Sequence, residues 1–133
     1  MKHKLEYARE KKEKIIGSFQ SSYMSDSKWV KLLRVLSNSA GLVSSSKVKL
    51  VWDEEVREIE INENISYNFD YYEKSMESMI SGYPKGFYDY KEIEWVEFLL
   101  LPQNISKFDE VLDSVGKFEM EAIENGFRLY GYK

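Results

Sequence analysis

The sequence predicts an α+β fold in which two N-terminal helices and one C-terminal-half helix pack on a largely antiparallel sheet of about five to six strands. Between Trp29 and Leu36, apolar residues recur at helical spacing. From Val48 onward the apolar period becomes two, which is typical of strands with one wet face. Residues 90–101 form the most apolar run and are rich in β-forming residues, so we expect them to be the central strand.

The N-terminal half begins with two predicted helices. Residues 1–20 form a helical extension, because Lys, Glu and Arg dominate it and all favour helix. Its apolar face is thin and lacks Trp, so we expect it to dock on the rest of the chain rather than on a membrane. Ser25 or Asp26 is predicted to cap the second helix, and residues 38–41 to end it.

A meander of three antiparallel strands is predicted next, near residues 48–52, 57–61 and 65–69, with Glu58 and Glu60 pointing outward. Residues 71–80 fit a short helix, but the pattern leaves their conformation open. Glycine and proline then mark residues 81–86 as a loop.

The C-terminal part is predicted to contain a helix and a hairpin. Gly116 ends a helix whose cap is Asn104 or Ser106. The dipeptide Asn125-Gly126 indicates a two-residue β-hairpin of type I′, which pairs Ala122 with Leu129. In this hairpin, every second residue of each strand lies on the same face of the sheet, and the apolar residues Phe118, Met120, Ala122, Phe127 and Leu129 share one face. No repeat or linker divides the sequence, so we predict one domain spanning residues 1–133.

Charge is distributed unevenly along the chain. Residues 1–34 contain nine Lys or Arg and four Asp or Glu, a net of +5. Residues 53–124 contain six Lys or Arg and nineteen Asp or Glu, a net of −13. The segments are either ordinary solvated faces or the source of an oriented field that attracts a basic partner to the acidic part. Direct binding of nucleic acid there is not expected, since phosphates need cations.

The sequence offers few groups for catalysis or metal binding. It has no cysteine and a single histidine, His3, so zinc sites and Ser-His or Cys-His nucleophiles lack their side chains. No glycine motif for phosphate binding occurs. The turn Asp53-Glu54-Glu55 offers oxygens to Mg²⁺ or Ca²⁺, and Glu92 with Glu94 offers a carboxylate pair on one strand face. Such patterns are more often solvated or interfacial, so we expect no enzyme activity, metal or cofactor.

Localisation follows from the hydropathy pattern. The N-terminus lacks the apolar region of a signal peptide, and the longest apolar run, Phe98 to Leu101, is too short to span a bilayer. Absence of cysteine fits a reducing compartment. We therefore expect a cytoplasmic protein that does not bind membranes.

A protein-binding surface is the candidate functional feature. Aromatic residues crowd the segment 83–90, where they serve either as core side chains or as binding hot spots. The predicted partner-binding residues are acidic or tyrosine side chains from three stretches: Asp53, Glu54, Glu55, Glu58, Asp70, Tyr72, Glu73, Tyr88, Asp89 and Tyr90.

Three short stretches resemble a small uncharacterised bacterial family. Residues 27–33, SKWVKLL, are similar to its KW..L helix, and residues 90–97, YKEIEWVE, to its KEIEW strand. Residues 127–132, FRLYGY, resemble its closing R-aliphatic-aromatic-GY strand. The resemblance implies the same fold, including the last hairpin, and carries over no catalytic residue.

The chain also resembles, in size, acidity and lack of cysteine, the immunity proteins of bacterial contact-dependent growth inhibition and related toxin systems. Those proteins neutralise a cognate toxin domain, often a basic nuclease that cleaves tRNA. The resemblance implies an inhibitor, monomeric before binding, that covers the toxin active site with an acidic, Tyr-rich surface. Two alternatives stay open: a regulatory or adaptor protein with another protein partner, and a small enzyme or nucleotide binder with residues 70–90 as a lid.

Overall fold

A five-stranded antiparallel sheet forms the centre of the fold, as the sequence predicts. The computed structural model describes residues 2–39, 41–59, 61, 75–77 and 87–133. The helices are α1 (Lys2–Gly17), α2 (Asp26–Ser37) and α3 (Ile105–Val115). The strands are β1 (Ser45–Leu50), β2 (Val56–Glu58), β3 (Ser75–Glu77), β4 (Phe87–Asp89), β5 (Ile93–Leu99), β6 (Met120–Ile123) and β7 (Gly126–Tyr130).

The strand β5 lies in the middle of the sheet, whose order is β2-β1-β5-β7-β6. The prediction of a central strand in residues 90–101 is therefore confirmed, although Tyr90–Glu92 forms a 3₁₀ turn before the strand begins. Strands β3 and β4 form a separate antiparallel pair. Residues 75–77 are thus a strand and not part of a helix, because pairing with Phe87–Asp89 overrides local propensity.

One face of the sheet, the inner face, carries the core together with α2 and α3. Val48, Val96 and Leu129 sit side by side across three strands and are fully buried. From α3, Phe108 places its ring 5.5 Å from that of Phe98. Burial of such side chains is the main stabilising contribution.

The helix ends follow the predicted capping with one difference. The Ser25 hydroxyl accepts a hydrogen bond from the Lys28 amide at 3.2 Å, which caps α2. Asn104 precedes α3, but its side-chain amide donates to the carbonyls of Gly41 and Leu42 instead of capping the helix. It therefore ties the start of α3 to the turn after α2.

The C-terminal hairpin forms with the predicted faces and a different register. Ala122 pairs with Phe127, so the two-residue turn is Glu124-Asn125 and not Asn125-Gly126. Asn125 alone supplies the left-handed conformation, with φ of 63°, which excludes type I′. Gly126 serves a different purpose, since a Cβ there would collide with the Phe98 carbonyl of β5. The partner of Ala122 changes from the predicted Leu129 to Phe127, a shift of two residues. Because side chains alternate between the two faces of a strand, a shift of two leaves every side chain on its predicted face.

The N-terminal segment contacts the rest of the chain, as expected: Lys12 of α1 pairs with Glu92, and the residues that follow the helix contact the C-terminus. The ring of Phe19 stacks on that of Tyr132 at 5.3 Å, and the amides of Gln20 and Ser21 donate to the Lys133 carbonyl. Within the described ranges, no helix combines the length and apolar character that crossing a bilayer requires. The predicted strand 65–69 and loop 81–86 lie outside the described residues.

Candidate protein-binding surface

Two of the predicted acidic stretches, 53–58 and 88–90, are joined by the buried side chain of Glu92. The Trp52 indole donates to Glu92 Oε1 at 2.8 Å, and the Asp89 amide donates to Glu92 Oε2 at 2.6 Å. The Val51 amide donates to the Glu92 carbonyl at 2.7 Å. The 3₁₀ turn before β5 and the turn after β1 are therefore held against each other.

A cation from α1 completes this arrangement. Lys12 Nζ lies 2.8 Å from Glu92 Oε1, and the two side chains are 37% and 3% exposed. The same ammonium lies 5.5 Å from the centre of the Trp52 ring, and the Arg57 guanidinium lies 5.4 Å from it. Glu92 is thus a buried carboxylate with two N–H donors and one ammonium partner.

Asp53 is used mainly to build the turn that follows Trp52. Its Oδ2 accepts from Arg57 Nε at 2.5 Å, and its Oδ1 accepts from the Glu55 amide at 3.0 Å. Burial raises the pKa of the Asp53 carboxyl, but the hydrogen bonds from Arg57 and Glu55 outweigh it and hold the pKa below its ordinary value. The half-buried Asp53 therefore shapes the surface more than it offers charge to a partner.

Glu54 and Glu55 are the exposed acids of this turn, and Glu58 is exposed on β2. Asp89 is half-buried at the end of β4. We call Asp53, Glu54, Glu55 and Asp89 the acidic turn surface.

The remaining predicted residues have different outcomes. Tyr90 is only 1% exposed, so its prediction as a partner-binding residue is wrong: the 3₁₀ turn places its ring in the core. Burial raises its pKa to about 12. Tyr88 lies in β4 opposite Met76. Three others lie outside the described residues: Asp70, Tyr72 and Glu73.

The expected pair of exposed carboxylates at Glu92 and Glu94 is also absent. Glu92 belongs to the 3₁₀ turn and is buried, while Glu94 falls where the β1–β5 register shifts and pairs with Lys49 at 3.2 Å. Sequence reasoning missed Glu92 as the central residue of the site. The usable signal was Trp52, whose indole N–H needs an acceptor when it is partly buried.

The other face of the sheet, the outer face, carries charges that compensate each other. One cross-strand row alternates in sign over all five strands and consists of Glu58, Lys47, Glu97, Arg128 and Glu121. Arg128 binds Glu97 at 2.6 Å and stacks over the Trp95 ring at 4.1 Å. Adjacent opposite charges support the pairing of the strands. This row contributes a net charge of only −1, so it is a poor candidate for binding a strongly basic partner.

Clefts and groups of acidic side chains are the features of the described residues that bear on a ligand or metal site. Two open clefts have volumes of about 250 and 310 Å³, and neither is lined by a carboxylate. Among the described residues, no three His, Asp or Glu side chains are grouped to hold a metal ion.

No protein-family model, curated protein or solved structure matches this chain. Its function is therefore inferred from its own geometry and charge.

Proposed function

We propose that this chain is a non-catalytic binding protein that recognises a basic protein partner through acidic side chains. In particular, we propose that it is an immunity protein that binds and neutralises a cognate toxin domain, a basic nuclease of the tRNase type. The observation that carries the proposal is the exposed pair Glu54 and Glu55 beside the Trp52–Glu92 cluster, within a segment, 53–124, of net charge −13.

The proposed mechanism is occlusion of the toxin active site. The exposed carboxylates of the acidic turn surface, Glu54 and Glu55, occupy positions that nucleic-acid phosphates take on the toxin, and the bulk of the protein excludes the substrate. A standard interface needs about 800 Å² from each partner, a small part of this chain's 8527 Å² surface. Charge complementarity raises the association rate more than it sets the final affinity.

The outer face is not the proposed interface, because its row of charges is paired within the sheet. A second group of exposed acids lies on α3: Asp109, Glu110 and Asp113. These residues supply a matched control, since they carry the same charge on another element. We further propose that the protein acts in the cytoplasm, is monomeric before binding, and uses neither cofactor nor membrane.

The test is co-expression of this chain with the toxin domain encoded directly upstream of its gene. We expect restored growth and a one-to-one complex. The double variant Glu54→Lys/Glu55→Lys is expected to lower the association rate about tenfold at low ionic strength, and less at higher salt. The control double variant Asp109→Lys/Glu110→Lys is expected to retain the parent rate.

Two results would contradict the proposal in different ways. If only the α3 variant slows association, the interface lies on α3 and the acidic turn surface is not the recognition site. If no complex forms and growth is unchanged, the immunity function is wrong and a regulatory or adaptor protein with another partner replaces it.

A further inference from the structure

The surroundings of Glu92 are those of a site for an ammonium group. Glu92 is 3% exposed, and each of its oxygens already accepts an N–H donor, from Trp52 or from Asp89. The aromatic face of Trp52 lies beside the carboxylate, within 5.5 Å of the bound ammonium. A carboxylate and an aromatic ring together bind a cation more strongly than either does alone.

The present occupant, Lys12, is not required to satisfy the carboxylate. The indole of Trp52 and the amide of Asp89 remain as donors when the ammonium leaves. Lys12 is 37% exposed, so it binds at the mouth of the site, where ion pairs are weak and exchange with solvent. It also comes from the N-terminal segment 1–34, whose net charge of +5 resembles that of a basic partner.

We propose that Glu92 and Trp52 form a binding site for a lysine side chain of a basic protein partner, and that Lys12 occupies this site in the free chain. The partner's lysine displaces Lys12 and takes its contacts with the carboxylate and the ring. The proposal rests on the proposed function for the nature of the partner, but the site itself is defined by Glu92 and its neighbours.

The site selects an ammonium over a guanidinium. Lys12 contacts Oε1, while the Asp89 amide takes Oε2 at 2.6 Å. Arginine gains its advantage by binding both oxygens of a carboxylate in a fork, and here such a fork has to compete with the hydrogen bond from the Asp89 amide to Oε2. Lysine, a compact charge with rotatable donors, needs one oxygen only.

The experiment uses the full chain and its Lys12→Gln variant, with pentalysine as the probe at low ionic strength. The chain contains three tryptophans, so its ¹H–¹⁵N spectrum has three indole resonances, and Trp52→Phe identifies the one that reports on Glu92. Lys14→Gln is the matched control, because it removes the same charge from an exposed residue of α1.

We expect pentalysine to shift the Trp52 indole resonance and to bind Lys12→Gln about threefold more tightly than the parent, because an internal occupant lowers apparent affinity in proportion to the fraction of sites it fills. Lys14→Gln is expected to behave as the parent, and penta-arginine to bind Lys12→Gln more weakly than pentalysine does. Equal affinity for both lysine variants would overturn the inference, as would pentalysine binding that leaves the Trp52 resonance unmoved.

Failure of this inference is distinguishable from failure of the proposed function. If pentalysine does not bind at Glu92 while the toxin is still neutralised, the proposed lysine site is wrong and the proposed immunity function stands. If pentalysine binds as expected but no toxin complex forms, the site stands and the immunity function does not.

Discussion

Glu92 lies beside Trp52 in space and Glu54 lies near it in sequence, but the two carboxylates have opposite environments. Glu92 is 3% exposed and binds the indole of Trp52, the Asp89 amide and the ammonium of Lys12. Glu54 lies two residues after Trp52, is exposed, and receives no hydrogen bond from the described part of the chain. The carboxylate of Glu92 is held by three groups of this chain, whereas the described residues leave the carboxylate of Glu54 exposed.

This difference shows that an acidic sequence is not the same as an acidic surface. Residues 53–124 have a net charge of −13, yet several of their acids bind cations of this chain. The acids with such ion pairs are Asp53, Glu92, Glu94, Glu97 and Glu119. A partner responds chiefly to the uncompensated charges, since paired charges largely cancel at a distance.

The largest expected effect comes from Glu92→Gln, which changes the most enclosed carboxylate. One donor, Trp52 or Asp89, then faces an amide NH₂ in place of an oxygen, and we expect the free energy of unfolding to fall by about 1–3 kcal/mol. The free energy of unfolding of the variant and the parent is measured by urea denaturation. The control is Glu94→Gln, whose carboxylate is 21% exposed and pairs with Lys49; its expected loss is below about 1 kcal/mol. Equal losses would remove the distinction between enclosed and accessible carboxylates.

A smaller effect is expected on the outer face, from Arg128→Met. The variant loses the ion pair with Glu97 and the stacking on Trp95, while methionine keeps much of the side-chain volume. Because Arg128 is 30% exposed, we expect a loss of about 1 kcal/mol. Lys47→Met is the control: Lys47 lies opposite Glu97 without a close ion pair in the described structure, and the expected change is within about 0.5 kcal/mol. No difference between the two would mean that the Glu97 contact contributes nothing.

The sequence predicts those parts of the fold that depend on periodicity. The helix from Trp29 to Leu36, the central strand and the faces of the last hairpin follow from the spacing of apolar residues, which burial enforces directly. The hairpin register does not follow from the dipeptide Asn125-Gly126, because the two residues have different roles. Asn125 takes the positive φ of the turn, whereas Gly126 lacks a Cβ and so lets the backbone of β5 approach closely.

The candidate site is predictable only in part. The acidic turn is evident because Asp53, Glu54 and Glu55 are adjacent in sequence. The roles of Tyr90 and Glu92 depend on a 3₁₀ turn, which shifts the alternation of the strand that follows. The ion pair from Lys12 to Glu92 joins residues eighty apart, and no local pattern encodes such a contact.

Acid titration extends the comparison to Asp53, whose exposure to solvent is intermediate between that of Glu92 and that of Glu54. Its pKa in the folded chain lies below the ordinary value of 3.8, so the folded state binds this proton less tightly than the unfolded state. The resulting stabilisation is complete above that value and is lost as the pH falls through the lower, folded pKa. Asp53→Asn keeps an acceptor for the Glu55 amide but removes the titration. We expect its free energy of unfolding, measured with urea, to decline less steeply than the parent's between about pH 5 and pH 3; parallel declines would contradict the lowered pKa.

The smallest effect on stability is expected from the double variant Glu54→Gln/Glu55→Gln. Both side chains are exposed, and no described residue donates to their carboxylates, so the free energy of unfolding should change by less than about 0.5 kcal/mol. Urea unfolding of this variant beside Glu92→Gln gives the contrast directly. Retained stability together with slower association to a basic partner would mean that these carboxylates serve recognition and not folding. A loss as large as that of Glu92→Gln would mean that the turn needs both charges to fold, and the two kinds of carboxylate would then no longer be separable.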